Sequence, residues 1–462
     1  MVSHQSIMAL LLASLMTVPA AFAADDGEDS SRLSDEPIPL DDSMPDRPRP
    51  LIEFGTEPFV GTGAIEPGIE IATGAVLQPQ LLVFGQYRTA VQSFHNGNET
   101  FSEWTNRLDL FANLRLSGTE RVLVGYRPFD QDGQFTGYNF EPNDRFEGWQ
   151  DNYGQELTTL FFEGDIGEIF PLIDPDDHVP LDFGIGVGRQ PIFIQEGMLI
   201  NDTLDSVGLT RNSIHTPWTS NVQITGLWAW NELNRNDNAE TDGKLAGLFT
   251  QIDFELTTMA LDFAYVYDDE FSDSLHWGIS AVQRIGEVNT SFRVLGSQAD
   301  DGDQAGRNGN YGVSDGMLLF SEVSWTPHAT DDIMYINSFY GIDEYSSAAR
   351  GPATGGPLGR AGVLFAAVGM GRYGAALGNR ADRSIGAGLG YQMILDGTRR
   401  QIIMEVGGRT DTDEGGDGAF GFAARFQQAL GQNLILRLDG FVTGHETAEP
   451  AFGGRTELLV KF

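Results

Sequence analysis

Apolar and polar residues alternate one for one along much of the chain, in segments of about ten residues separated by turn-forming stretches. In the clearest segment, one side carries Leu108, Leu110, Ala112, Leu114 and Leu116, and the other carries Arg107, Asp109, Phe111, Asn113 and Arg115. A period of two is typical of a β-strand with one apolar face and one polar face. The same alternation recurs from residues 246, 261, 420 and 434. The pattern therefore predicts an all-β protein.

The last eight residues, 455–462, alternate in the same way, and the chain stops on the aromatic side chain of Phe462. Such an ending is typical of the closing strand of an outer-membrane β-barrel, whose two faces contact lipid and the lumen. An amphipathic edge strand of a soluble sheet would show the same alternation. After Val18, however, no apolar run reaches the ~18 residues of a helical span, so a membrane location requires a barrel.

Short turns and longer acidic or Gly-rich connections alternate along the chain from Gln80 onwards, and eighteen strands can be counted between Gln80 and Phe462. Residues 51–79 contain two short strand-like pieces, which form either a first hairpin, raising the count to twenty, or an inward-folded plug. The predicted fold is a transmembrane antiparallel up-and-down β-barrel of about 18 strands with long extracellular loops. Both termini are then predicted to be periplasmic.

Residues 342–383 are predicted to form one extracellular loop, because the strand before them, 333–341, runs outward and the strand after them, 384–395, runs inward. The loop is about forty residues long and rich in Gly and Ala, and structureless loops of this length are uncommon unless they are functional. We predict that it folds into the lumen and narrows the channel. The alternative is that residues 361–369 belong to an additional pair of strands.

The N-terminal region has the features of an exported protein. An apolar run and the sequence Ala21-Phe22-Ala23 predict a signal peptide at residues 1–23. Residues 24–50 are rich in Asp, Glu and Pro and predict a flexible acidic periplasmic lead, so the barrel domain is assigned to 51–462. The absence of cysteine excludes disulfides, thiol redox chemistry and thiolate metal sites.

The chain carries 66 acidic and 28 basic residues, a formal net charge of -38, and its only lysines are Lys244 and Lys461. Nucleic acid is therefore not an expected partner. Alternation predicts the following arginines on the lumen face: Arg88, Arg107, Arg115, Arg121, Arg127, Arg284, Arg293, Arg425, Arg437 and Arg455. Such an array would attract anions, unless each guanidinium pairs with a lumen carboxylate such as Asp109, Asp253, Glu255, Glu405, Asp439 or Glu457.

Residues 188–213, GRQPIFIQEGMLINDTLDSVGLTRNS, resemble a segment of the alginate-export family of outer-membrane porins. Arg47-Pro48-Arg49-Pro50-Leu51 is similar to the start of the mature barrel in that family. The resemblance implies an eighteen-stranded channel whose arginine-lined lumen passes an anionic uronate polymer. It also implies pore-lining roles for Arg189, Asp202 and Arg211. Arg189, however, has the same parity as Val187, which is expected to face lipid. Either a bulge at Pro191 turns the Arg189 side chain inward, or the side chain snorkels at the membrane interface.

An enzymatic function is not expected, because Asp177-His178 and Ser213-Ile214-His215 fall at predicted periplasmic turns, away from the barrel top where hydrolases of this class work. The acidic clusters at 300–303 and at Asp411, Asp413 and Asp417 do not match the full calcium-loop pattern. We therefore predict no metal site and no cofactor.

These features together predict a monomeric channel in the outer membrane of a Gram-negative bacterium, in contact with lipid and lipopolysaccharide. It would serve passive diffusion or export of hydrophilic, anionic or saccharide-like solutes. Two other functions fit the sequence: transport of apolar compounds of the fatty-acid type, and a non-conducting structural or docking barrel. The predicted pore-lining residues are Arg88, Arg107, Arg115, Arg189, Asp202, Arg211, Arg425 and Arg437.

Overall fold

The computed structural model describes residues 49–55, 68–141, 147–173, 182–235, 238–268, 272–300, 304–305, 311–413 and 416–462. The predicted signal peptide, 1–23, lies outside the described residues, and so does nearly all of the predicted acidic lead, 24–50. Residues 56–67 of the predicted hairpin or plug also lie outside them.

Eighteen strands form one closed antiparallel sheet. They are β1 Gln80–His95, β2 Thr100–Arg115, β3 Arg121–Tyr126, β4 Leu157–Asp165, β5 Phe183–Ile194, β6 Ile200–Thr216, β7 Thr219–Asn231, β8 Lys244–Asp253, β9 Thr257–Tyr267, β10 Ser274–Ile285, β11 Val288–Ala299, β12 Gly316–Trp325, β13 Ile333–Asp343, β14 Ser384–Leu395, β15 Arg400–Asp411, β16 Gly418–Leu430, β17 Leu434–His445 and β18 Ala451–Lys461. Each pairs with its neighbours in sequence, and β18 closes the ring on β1, from Phe452 opposite His95 to Lys461 opposite Gln86. The predicted 18-stranded barrel is confirmed.

Closure explains why amphipathic strands are stable in this arrangement. A closed sheet has no free edge, so the backbone N–H and C=O groups are satisfied between strands. Short turns such as 117–119 and 396–399 connect strands at one end of the barrel, which we call the short-turn end. The opposite end, the long-loop end, carries the connection from 344 to 383.

In the described part of the chain, no helix is long and apolar enough to span a membrane. The two helical turns are short, an α-helical turn at Ile166–Ile169 and a 3-10 turn at Pro171–Ile173.

The described residues before β1 contribute short strands at the short-turn end. Ile52–Phe54 pairs with β1 in the register Ile52 opposite Val83, and Ile69–Glu70 pairs with Val76–Leu77. The pairing of Ile52–Phe54 has a simple cause. Because β18 ends at Lys461, opposite Gln86, residues 81–83 of β1 would otherwise lack a partner on that side. Ile52–Phe54 therefore extends the seam of the barrel beyond the end of β18.

The barrel wall is irregular at the long-loop end near β3. After Tyr126 the chain leaves the wall, and Gln134–Glu141 returns to pair with residues 102–106 of β2. Asp130–Gln131 and Gly148–Gln150 also pair with Gln134–Glu141. The alternation of short turns and long connections predicts a loop at residues 131–154, but much of the described part of this segment continues the sheet. Other short strands at this end are Leu233–Arg235, Asn238–Thr241, Gln304–Ala305, Tyr311–Val313 and Ala349–Arg350.

Strand β5 also lacks one of its neighbours towards the long-loop end. It pairs with β6 along its whole length, from Phe183 to Ile194, but with β4 only from Gly184 to Arg189. Pro191 lies just beyond the last β4 pair, and a residue without an N–H is tolerated where a strand has lost one neighbour. Gly188, with φ +124°, precedes it, and a Cβ there would lie 2.2 Å from the Leu160 carbonyl oxygen. Only glycine fits this close approach between β4 and β5.

Candidate functional site

The segment from 344 to 383, here called the inserted segment, lies inside the barrel. Its side chains include Leu358, Leu364 and Phe365, which are almost completely buried. Its backbone contacts side chains of β1, β2 and β15, and its residues Ala349–Arg350 pair with Ile200 and Asn201 of β6. Because these strands lie far apart around the ring, a single segment can reach all of them only from within. Residues 361–369 form turns, so the alternative of an extra strand pair is not what the structure shows.

Charged side chains of the wall hold the backbone of the inserted segment at three places. The Glu405 carboxylate accepts hydrogen bonds from the N–H groups of Val363 (2.8 Å) and Leu364 (2.9 Å). Arg409 donates to the carbonyl oxygens of Leu377 and Arg380, both at 3.1 Å. Turns buried away from water leave backbone groups unsatisfied, and these side chains take the place of the missing ladder bonds.

The third attachment involves two predicted pore residues. Arg88 donates to the Val368 carbonyl oxygen (3.1 Å), and Arg107 donates to the Gly369 carbonyl oxygen (2.9 Å). On the neighbouring residues, the Glu103 carboxylate accepts the Arg372 N–H at 2.5 Å. Arg88 and Arg107 therefore face the lumen, but part of their hydrogen-bonding capacity serves to fix the inserted segment.

A second, shorter piece of chain also turns inward. The connection between β5 and β6, Gln195–Leu199, here called the inward hairpin, is largely buried, and Gln195 donates to the Asp262 carboxylate of β9 at 2.6 Å. Tyr345 and Ser347 of the inserted segment donate their hydroxyls to the Met198 carbonyl oxygen, at 3.0 and 2.7 Å. The inserted segment and the inward hairpin therefore form one packed layer inside the barrel.

Arg350 connects these two pieces. Its guanidinium donates to the Gly197 and Gly355 carbonyl oxygens and to the Ser347 hydroxyl. Burial lowers the pKa of Arg350 to about 10, which leaves the side chain protonated at neutral pH. It is a positive charge held mainly by neutral acceptors, with Asp202 near enough to favour it electrostatically.

Two neighbouring groups of ion pairs, with six arginines and four carboxylates in total, lie on the lumen wall near the seam between β18 and β1. We call this set the arginine belt, and its members are Arg88, Arg107, Arg127, Arg425, Arg437 and Arg455 with Asp109, Asp130, Asp439 and Glu457. With six positive and four negative charges, the belt has an excess of two positive charges. The excess leaves the belt attractive to anions.

The carboxylates of the belt are more buried than most of its arginines. Glu457 has no exposed side-chain surface and contacts Arg88 (2.7 Å), Arg437 (3.5 Å) and Arg455. Asp439 accepts from Arg425 (2.5 Å) and Arg455 (3.0 Å). Arg425 and Arg437, by contrast, each keep 22% of the side chain exposed. The buried carboxylates therefore fix the arginines, and Arg425 and Arg437 present charge to lumen water.

Predicted pore residue Arg115 lies at the short-turn end, opposite Arg121 of β3. Arg121 pairs with Glu163 at 2.5 Å, whereas Arg115 has no ion pair among the described residues.

Asp202 is buried on the inner side at the long-loop end, where it accepts hydrogen bonds from the backbone and side-chain N–H groups of Asn234, each at 2.9 Å.

The structure does not bring Arg189 and Arg211 to the lumen, and the pore-lining roles implied by the resemblance need correction. Arg189 alternates in phase with Val187, which is 40% exposed, and Arg211 with Leu209, which is 43% exposed, on the outer face of the barrel. No bulge reverses the alternation, since the β5–β6 register is continuous from Phe183 to Ile194.

The partners of both arginines also lie away from the lumen. Arg189 pairs with Asp205 (2.9 Å) and Glu232 (2.5 Å). Arg211 lies over the ring of Phe183 and pairs with Asp182.

A pair of stacked aromatic rings faces the lumen on the short-turn side of the arginine belt. Phe84 and Phe111 stand opposite each other on β1 and β2, with ring centroids 5.6 Å apart. They lie on the same strand faces as Arg88 and Asp109, which places them inside. Phe84 is 37% exposed. Exposed phenyl rings in a polar lumen offer an apolar surface to a passing solute.

The sequence analysis did not identify the residues that attach the inserted pieces to the wall and to each other, among them Gln195 and Arg350. Strand alternation is the only signal that marks a side chain as inward-facing, and it does not extend into irregular segments. Among the described residues, no group of three or more His, Cys, Asp or Glu side chains is arranged to hold a metal ion.

No protein-family model and no curated protein sequence matches the chain. Several solved porin structures are similar in fold. Pseudomonas aeruginosa OccK2 (OpdF) superposes with a TM-score of 0.55 at 11% identity, covering 83% of this chain and 97% of that one. A BenF-like porin from Pseudomonas fluorescens Pf-5 gives 0.55 at 12% identity, covering 83% and 98%. The complex of OccK2 (OpdF) with glucuronate gives 0.54 at 11% identity, again covering 83% and 98%. At these identities the likeness shows the shared porin fold.

Proposed function

We propose that this protein is an outer-membrane channel of a Gram-negative bacterium that admits hydrophilic, preferentially anionic, solutes by passive diffusion. The observation that carries the proposal is the arginine belt, whose two excess positive charges lie on the lumen wall beside the inserted segment. Guanidinium groups in a confined, partly desolvated passage raise the local anion concentration and provide several weak sites.

Saccharide-like anions are the solute class that best fits both features of the lumen. Arg425 and Arg437 offer N–H groups to a carboxylate, and the Phe84–Phe111 pair offers a flat apolar surface to a sugar ring. The fold neighbour solved with glucuronate supports the same class. Export of a uronate polymer such as alginate is the more specific form of this proposal.

The proposed function also implies how the barrel is oriented in the outer membrane. Barrels of this kind place short turns in the periplasm and long connections outside. The long-loop end would then face the outside, and Phe462 and the described residues before β1 would face the periplasm. The inserted segment would enter the lumen from outside. Outer-membrane lipid and lipopolysaccharide would surround a monomeric barrel, and the channel would need neither a cofactor nor a catalytic activity.

Single-channel recording in planar bilayers tests the proposal. Under a KCl gradient, the purified protein should give a reversal potential displaced towards the chloride equilibrium potential. A double variant, Arg425→Gln with Arg437→Gln, should lower the ratio of chloride to potassium permeability. Arg399→Gln is the matched control, because it removes an exposed arginine from a turn at the short-turn end. Cation selectivity of the unmodified protein would contradict the proposal, and absence of current would favour a non-conducting structural barrel.

The solute class needs a separate measurement. Oligouronates added to the long-loop side should interrupt the current more often than neutral oligosaccharides of equal length. Equal interruption by charged and neutral oligosaccharides would remove the anionic part of the proposal and leave a general diffusion channel.

A further inference from the structure

Arg360 differs from the arginines of the belt in its surroundings. It lies in the inserted segment, between the buried residues Leu358 and Ala361, yet its own side chain is exposed. Its guanidinium lies over the Phe193 ring, 4.6 Å from the centroid. Among the described residues it makes no ion pair and no side-chain hydrogen bond. It is therefore a positive charge of the inserted segment that forms no ion pair with a described carboxylate.

The position of Arg360 is fixed from both sides. On one side, Leu358 donates its N–H to the Asn379 carbonyl oxygen, and the Ala361 N–H donates to the Leu358 carbonyl oxygen, so the backbone around Arg360 is held within the inserted segment. On the other side, Phe193 lies on the part of β5 beyond its last pair with β4, at Arg189. There its ring packs against Gly197 of the inward hairpin, although Phe193 has the same parity as Arg189. Arg360 thus lies where the two pieces that fill the lumen meet.

The ring contact orients the guanidinium without neutralising it. A cation over an aromatic face is attracted by the ring quadrupole, but its full charge remains. The five N–H groups of a guanidinium lie in its plane, and stacking leaves the edges of that plane available to an oxyanion. In the arginine belt, by contrast, Arg88 and Arg107 already donate guanidinium N–H groups to acceptors of the protein. Arg88 donates to Glu457 and Arg107 to Asp109, and both donate to the inserted segment.

We propose that Arg360, oriented by Phe193, is a second anion-selecting site of the channel, separate from the arginine belt. It would bind the oxyanion group of a solute as the solute passes the meeting point of the inserted segment and the inward hairpin. The inference depends on the proposed channel function.

The test measures ion selectivity of the full-length protein in planar bilayers under a KCl gradient. Arg360→Gln removes the charge, and the exposed position makes the replacement compatible with folding. At 0.1 M salt the ratio of chloride to potassium permeability should fall about fivefold, since ~1 kcal/mol, the interaction of unit charges 4 Å apart in water, corresponds to that ratio. The fall should be smaller at 1 M salt, where screening acts over ~3 Å.

Three further variants test separately the charge of Arg360, its orientation by Phe193, and its independence from the arginine belt. Arg360→Lys keeps the charge and should keep most of the selectivity. Phe193→Leu keeps Arg360 but removes the ring, and should give a ratio between those of the unmodified protein and Arg360→Gln. Adding Arg360→Gln to the Arg425→Gln, Arg437→Gln pair should lower the ratio further, by the same factor as Arg360→Gln alone, because separate sites act additively. Arg399→Gln remains the control.

The possible failures are distinguishable. If the protein conducts and the belt variants change its selectivity, but Arg360→Gln does not, the inference about Arg360 is wrong and the proposed function stands. If no variant of the belt or of Arg360 changes the selectivity, or if the protein gives no current, both are wrong.

Discussion

Replacing Glu405 with glutamine should loosen the inserted segment without changing the shape of the barrel wall. Glu405 lies on β15 with only 1% of its surface exposed, and its carboxylate accepts three hydrogen bonds. Two come from the N–H groups of Val363 and Leu364, at 2.8 and 2.9 Å, and one comes from the Tyr335 hydroxyl at 2.5 Å. Glutamine has nearly the same shape, but it has one acceptor oxygen and no charge.

The free energy of attachment that this replacement removes can be worked out from these three hydrogen bonds. Hydrogen bonds to a charged group contribute roughly 1.5–3 kcal/mol each, against about 0.5–1.5 kcal/mol for neutral pairs. One of the two backbone N–H groups would also face the amide N–H₂ of glutamine and lose its acceptor. The total loss is about 2–4 kcal/mol, and even ~2 kcal/mol shifts the equilibrium between attached and detached states of the inserted segment about 30-fold.

Single-channel recording should show this loss as current fluctuations. The Glu405→Gln channel should visit additional, larger conductance levels when residues near Val363 detach from the wall, and these visits should lengthen on warming. Glu163→Gln is the matched control, since Glu163 is a half-exposed carboxylate paired with Arg121 at the short-turn end. If Glu405→Gln and the unmodified protein share one steady conductance, the carboxylate does not hold the inserted segment.

Three further outcomes are expected. Replacing residues 352–378 by a short Gly-Ser linker should increase single-channel conductance, and an unchanged conductance would show that the inserted segment does not narrow the pore. Phe84→Ala should shorten current blocks by glucuronate about threefold to tenfold if ring stacking contributes ~0.5–1.5 kcal/mol, while Phe84→Tyr serves as the control. Burial raises the pKa of Asp382 above its ordinary value despite nearby Arg380 and Arg409. Its charge then costs stability above the unfolded pKa of about 3.9. Asp382→Asn should therefore raise the urea midpoint in detergent at pH 7 and leave it unchanged at pH 3.

Local alternation was sufficient to predict much of the barrel. It gave the number of strands, and it correctly placed Arg107 and Asp109 on one face of β2 and Leu114 on the other, where it is exposed. The prediction works because the side-chain period of a strand is fixed by its own backbone and needs no information about its partners.

The roles of individual charges were harder to predict. Glu405 was considered as a partner for a lumen arginine, but the structure shows it bound to N–H groups of residues some forty positions earlier. Arg189 and Arg211 were assigned to the pore by resemblance, yet alternation along β5 and β6 already places them with outward-facing neighbours. Here the residue pattern was a better guide than the family segment.

The sequence by itself determined that this chain forms amphipathic strands, about how many there are, and that polar and apolar side chains alternate between their two faces. Only the tertiary structure decided which charges meet across the lumen, that the inward hairpin and the inserted segment pack together, and that Arg360 stands apart from any described carboxylate. The physical reason is the range of the interactions. Strand alternation is set within a few residues, whereas the contacts of irregular segments depend on the register of the closed sheet around them.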